Sequence, residues 1–207
     1  WSVCTQQQEN YEAFYPWNET ACEIADDGIV VPFADSPMDL ENVYEQVYLQ
    51  IINNAKDYVY ITTPYLIVDV ATNTALCNAA KAGVDVRIIT PHIPDKRRVF
   101  ELTRAHYEPL VKAGVKVYEY LPGFIHSKTL VCDDKLGMVG TINLDYRSLY
   151  LHFENGLFLY NNDTVMDIKK DILDTLEDCN RIMPEMCKKN MFFLLLQGIL
   201  RIFAPLL

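Results

Sequence analysis

The sequence contains no Cys-x-x-Cys pair and no paired Cys/His spacing. Its six cysteines, Cys4, Cys22, Cys77, Cys132, Cys179 and Cys187, stand far apart. Tetrahedral zinc needs ligands grouped at short intervals, so a structural zinc site is not expected. A chain this long needs no disulfide staples, and reduced thiols in a cytosolic compartment are the expected state. Runs rich in Lys or Arg are missing too. With 18 Lys plus Arg against 28 Asp plus Glu, the net charge is −10. That balance repels a phosphate backbone and argues against general nucleic-acid binding, while leaving room for a local phosphate pocket. The first residues lack the basic-then-apolar pattern of a signal peptide. Asn18-Glu19-Thr20 and Asn162-Asp163-Thr164 are formal glycosylation sequons, but three-residue patterns arise by chance and matter only in a secretory context.

What is present is apolar and aromatic: 50% of the 207 residues are hydrophobic, with 13 Tyr and 9 Phe. Such a chain buries enough surface to offset ordering entropy, which excludes disorder. Residues 1–28 are polar and aromatic without a period and read as a lead-in segment or linker. One domain is expected over 29–190, opening with the strand-like run Ile29 to Phe33. Asp39 is placed to cap a helix reaching about Ala55, ahead of the β-rich run Tyr58 to Thr63. An Ala-rich helix near 71–81 stops at Gly83 and passes into the strand Val84 to Thr90. A helix near 98–112 stops at Gly114 and passes into Val115 to Tyr120. Lys81-Ala82-Gly83-Val84 and Lys112-Ala113-Gly114-Val115 thus mark equivalent helix-to-strand turns. Strands near 127–133, 136–140 and 157–160 and a helix from Thr164 to about Cys179 complete the pattern. The expected fold class is α/β, an α/β/α sandwich with a mixed, largely parallel sheet. Residues 191–207 form the most apolar stretch, short for a bilayer span and interrupted by Gln197 and Arg201. It is expected to lie on a membrane surface or to pack on the core or a partner domain.

The chemistry-bearing segment runs from Gly123 to Ser148. If Ile125 to Val131 is extended, the period of two puts His126 and Lys128 on one face. An imidazole beside an ammonium is unfavourable for two cations but useful around an anion: Lys128 neutralises a phosphate while neutral His126 attacks phosphorus. Thr141 and Asn143, in Gly140-Thr141-Ile142-Asn143, add a hydroxyl and an amide aimed at the same oxygens, so no metal is required. A nucleophilic imidazole needs its other nitrogen held, usually by a carboxylate, and Glu154 is the candidate to orient His126. Other polar residues carry weaker readings. His92 follows the strand ending at Thr90, where α/β sheets place ligands. Arg104, His106 and Tyr107 read as surface or packing residues of a helix, with Tyr107 able to face a lipid headgroup. His152, next to the Phe153-Glu154 pair, reads as a polar residue near the pocket, and Arg147 as a brace for its loop.

His126-x-Lys128, four residues, Asp133, then Gly140-Thr141-x-Asn143 and Glu154 resembles the HKD signature of the phospholipase D superfamily. The resemblance implies a covalent phospho-histidine intermediate, with no metal and no cofactor. It makes His126 the nucleophile or its acid partner, Lys128, Thr141 and Asn143 phosphate ligands, and Asp133 a mainly structural member. Ser is usual where this chain has Thr141. The segments Tyr60-Ile-Thr-Thr-Pro64-Tyr65, Gly83-Val-Asp-Val-Arg87, Tyr118-Glu-Tyr-x-Pro122-Gly123-Phe124, Asn143-Leu-Asp145-x-Arg147-Ser148 and Phe203 to Leu207 extend the likeness to the C-terminal half of bacterial cardiolipin synthases. That family implies transfer between two phosphatidylglycerols to give cardiolipin and glycerol, at the cytoplasmic face of the cell membrane, with anionic phospholipid as substrate.

Only one such motif is present, whereas in-line displacement needs one histidine to attack and another to protonate the leaving alkoxide. The second is expected from an N-terminal half or from a second copy across a two-fold axis. The start at Trp1 rather than Met and the synthase-like flanks favour the N-terminal half. Two other readings compete: a homodimeric single-motif phosphodiesterase or nuclease, against which the absence of basic runs speaks, and a non-catalytic membrane-docking half-domain.

Overall fold

The computed structural model describes residues 28–38 and 41–187. The lead-in residues 1–27, the expected cap Asp39 and the apolar stretch 191–207 lie outside the described residues. In chain order the elements are β1 (Ile29–Asp35), α1 (Val43–Asn54), β2 (Tyr58–Thr62), β3 (Leu66–Ile67), α2 (Val70–Lys81), β4 (Asp85–Pro91), α3 (Arg97–Ala113) and β5 (Lys116–Tyr120). They continue with β6 (Thr129–Cys132), β7 (Leu136–Gly140), β8 (Leu144–Asp145), α4 (Tyr146–Tyr150), β9 (Glu154–Tyr160), α5 (Thr164–Glu177) and β10 (Cys179–Arg181).

Eight strands form one sheet in the order β1-β9-β7-β6-β2-β4-β5-β10, and β3 pairs with β8 beside it. The α/β sandwich and the mixed sheet match expectation, but the sheet is not largely parallel. Only β2–β4 and β4–β5 run parallel in it, and its other five ladders are antiparallel. The physical reason lies in the connections. The two parallel ladders come from the helix crossovers α2 and α3, which end on Gly83 and Gly114 at φ of 100° and 106°. Left-handed backbone of this kind favours glycine, so the two recurrent turns are legible in sequence. After β5, among the described residues, no full crossover helix returns the chain in the same direction beside a neighbouring strand, and a turn as short as the one between β6 and β7 can join only antiparallel neighbours.

Alternation along each strand feeds two cores. Val59 and Ile61 of β2, Val86 and Ile88 of β4, and Leu130 and Cys132 of β6 pack with Tyr48, Ile52, Leu76 and Leu110 of α1, α2 and α3. Tyr58, Tyr60, Ile89 and Val131 point the other way and meet Val165, Ile168 and Ile172 of α5. The described cysteines Cys77, Cys132, Cys179 and Cys187 are all unbridged.

The Asp133 carboxylate fastens the β6–β7 turn to the start of β2. It accepts the amides of Lys56 at 2.7 Å, Asp57 at 2.9 Å and Tyr58 at 2.8 Å. Burial works against its charge, but the three amides prevail and hold its carboxyl below the usual range. These contacts tie two distant stretches of backbone together. Asp133→Ala should cost about 2 kcal/mol of stability at pH 7, read from urea unfolding midpoints. Because the folded pKa is depressed, that difference is present above the unfolded value of about 3.9 and disappears as pH falls through the folded one.

Candidate active site

The strand β6 begins only at Thr129, which pairs with Thr62 at the end of β2, and residues 124–128 approach it without regular structure. His126 and Lys128 are thereby delivered to the sheet end where the parallel strands β2, β4 and β5 finish. The Lys128 Nζ donates to the His126 backbone carbonyl at 2.6 Å, folding the ammonium back onto the chain two residues earlier. The His126 ring is exposed and lies 5.6 Å from the Phe124 ring, which in turn stands 6.2 Å from Tyr65. Tyr65 donates its hydroxyl to Asp95 at 2.5 Å. Burial first and the Lys128 charge second push the His126 pKa below its ordinary value, against the pull of Asp95. The shift favours the uncharged ring, the form a nucleophile needs. Burial also lowers the Lys128 pKa, opposed by the charges of Glu154 and Asp145.

The Gly140-Thr141-x-Asn143 segment lies alongside. Gly140 donates its amide to the Lys128 carbonyl at 3.3 Å, and Thr141 donates its own to the Asn155 carbonyl at 2.9 Å. A Cβ on Gly140 would stand 2.4 Å from the Asn155 carbonyl oxygen, so only glycine lets this segment press against β9. The Thr141 hydroxyl donates to the Glu154 carboxylate. The Asn143 side-chain amide donates to the Ser148 hydroxyl at 3.0 Å. Both donors expected to face a phosphate are engaged with protein groups in this structure.

Glu154 is buried, and its partners differ from the expected one. One carboxylate oxygen accepts from Thr141, the other lies 3.6 Å from His152 Nδ1, and no described residue hydrogen-bonds the His126 ring. Within this chain Glu154 therefore braces Thr141 and His152 rather than orienting His126. Sequence spacing could not reveal this, because the choice depends on how β9 lies against β7. Asp145 caps α4 by accepting the Ser148 amide at 2.8 Å, and burial raises its pKa.

A second cluster was only partly legible. His92 Nδ1 stands 2.7 Å from Glu119, and Arg104 donates to both oxygens of that carboxylate at 2.8 Å. Burial opposes the Glu119 charge, but Arg104 and His92 outweigh it and lower its pKa. Arg104 is thus an ion-pair anchor rather than a surface residue. Tyr107, read as a surface or packing residue that could face a lipid headgroup, is buried and packs, with its hydroxyl 2.7 Å from that of Thr90. The available signal was the alternation of β5, which puts Glu119 on the same buried face as Val117. Arg147 and His152 line a cavity of about 200 Å³ together with Asn143, Tyr65 and Lys96.

The sequence profile of the family described as "Cardiolipin synthase, PLD-like domain" matches residues 48–176. The chain is 46% identical, over its whole length, to an "Uncharacterized protein" of Streptococcus mutans, of which it covers 44%. It is 39% identical over 88% of its length to a cardiolipin synthase of Halalkalibacterium halodurans, of which it covers 36%. The chain therefore spans less than half of either relative. Among solved structures it resembles Nuc of Salmonella typhimurium, a phospholipase D family member, with a TM-score of 0.64 and 18% identity. That match covers 75% of this chain and 98% of Nuc.

Proposed function

This chain belongs to the phospholipase D-like domain family of cardiolipin synthases, and from that premise we propose that it supplies one half of a phosphatidyl-transfer site. The carrying observation is that His126 and Lys128 sit together at one end of the sheet, with the Lys128 ammonium on the His126 carbonyl and the His126 pKa pushed down by burial and by the Lys128 charge. In the proposed reaction, His126 attacks the phosphorus of a phosphatidylglycerol. An N–P bond forms, the P–O bond to the headgroup glycerol breaks, and the leaving oxygen takes a proton from a second histidine. The hydroxyl of another phosphatidylglycerol then attacks phosphorus and gives its proton to that second histidine. The N–P electron pair returns to His126, and the products are cardiolipin and glycerol. Lys128 neutralises the phosphate throughout, and transfer prevails over hydrolysis to the extent that water is kept out.

The second histidine belongs, in this reading, to the remaining length of a two-motif enzyme at the inner face of a membrane. Among the described residues no helix is long and apolar enough to cross one. The test is to add phosphatidylglycerol liposomes to the chain, alone and mixed with a separately produced partner half, and to quantify cardiolipin by mass spectrometry. Product from the mixture alone is the expected result. Product from the chain alone would assign the second histidine to another copy. Phosphatidic acid without cardiolipin in the mixture would overturn the transfer reading in favour of hydrolysis.

A further inference from the structure

The cavity of about 200 Å³ beside the motif is lined by Tyr65, Lys96, Asn143, Asp145, Arg147 and His152, among others. Asn143 joins it to the phosphate-site candidates, and His152 opens onto it with the buried Glu154 carboxylate behind its Nδ1 at 3.6 Å. Two cations, Lys96 and Arg147, line this cavity. Acidic residues outnumber basic ones 28 to 18, and Arg87, Arg104, Lys112, Lys116, Lys169 and Lys170 are all paired with carboxylates. Lys96 and Arg147 have no carboxylate partner among the described residues, and both are exposed. The carboxylate that also lines the wall, Asp145, is engaged with the Ser148 amide at 2.8 Å. Burial raises its pKa, which weakens its opposition to an anion.

A phospholipid acceptor differs from water or glycerol in one respect: it carries a phosphodiester anion one glycerol away from the attacking hydroxyl. Two phosphates held that close repel unless each has its own cations. Lys128 serves the first. We propose that Lys96, Arg147 and His152 form the subsite for the second, the phosphate of the acceptor phosphatidylglycerol, and so select a lipid alcohol over water. The inference rests on the transfer reading above. The cavity has room for about six water volumes, which suits a glycerophosphate group and leaves the acyl chains outside. The residues Leu151 and Phe153, which flank His152, are 52% and 61% exposed and supply apolar surface beside the opening for those chains.

The chain holds only four histidines, His92, His106, His126 and His152, so proton NMR of their rings resolves the two subsites in the full chain. On titration with dihexanoyl phosphatidylglycerol, the His126 and His152 signals should move with separate midpoints. The double variant Lys96→Gln/Arg147→Gln should raise the His152 midpoint about tenfold, the loss expected for two charge-assisted contacts, and leave the His126 midpoint in place. Lys96→Arg, which keeps the charge, should keep the wild-type midpoint. An unmoved His152 signal, or an unchanged His152 midpoint in the double variant, overturns the proposal. Saturation of His152 by inorganic phosphate but not by the lipid overturns the lipid identity of the ligand. An unmoved His126 signal beside a responsive His152 would instead overturn the donor-site reading.

Discussion

His126→Ala is expected to lower phosphatidyl transfer by at least ~10³-fold, because in the proposed reaction it removes the atom that attacks phosphorus rather than one that merely steadies it. The side chain is exposed and touches the protein through a ring contact with Phe124, so the variant should unfold at the wild-type temperature. Loss of activity then reports on chemistry and not on folding. The assay is cardiolipin formation by the reconstituted two-half enzyme, with acid-quench mass spectrometry of the peptide that carries His126. A phosphatidyl adduct on that peptide in the wild type, absent in the variant, is the expected result. Near-normal cardiolipin from His126→Ala would remove this residue from the nucleophile or acid role.

Lys128→Met should act twice. In the proposed reaction, removing the ammonium takes away the cation that neutralises the phosphate, which should cost about 10²–10³ in turnover. It also removes one of the two causes that depress the His126 pKa, the other being burial. In the wild type the acid limb of the pH–rate profile, where His126 gains a proton and ceases to be a nucleophile, should fall below the ordinary imidazole value of about 6.5. In Lys128→Met it should move upward towards that value. A profile measured from pH 5 to 8 on both proteins checks the sign. A rate loss with an unmoved limb would mean that Lys128 serves the phosphate without tuning the imidazole.

Much of this was legible in the sequence, and the rest was hidden for identifiable reasons. Gly83 and Gly114 announced two left-handed turns, and with them the parallel trio β2, β4 and β5. The direction of the later strands depended on how the chain reverses after β5, which no period encodes. His126 and Lys128 were found by their types and spacing, although the backbone that carries them is irregular and the strand starts after both. Glu154 was found as a member of the constellation but given the wrong partner, since its neighbours Thr141 and His152 are set by the packing of β9 on β7. Asp133 was found as a motif member, but the three amides it gathers lie more than 70 positions earlier, beyond the reach of any local spacing. The β3–β8 pair was missed because its strands, two residues each, are below the length at which alternation can be counted.

The Asp133 clamp also dictates an order of events during synthesis. It joins positions 75 to 77 residues apart, so a growing chain can assemble β2, β4 and β5 with their crossover helices well before residue 133 leaves the ribosome. Throughout that interval β2 is an open edge of an incomplete sheet, and its residues Tyr58 to Thr62 are all of types that pair readily with a foreign strand. Arrival of the β6–β7 hairpin closes that edge, and Asp133 fixes its register at the same moment. The nascent protein is therefore most exposed to mispairing late in its translation, and a chain truncated shortly before this hairpin would be left with a permanently sticky flank.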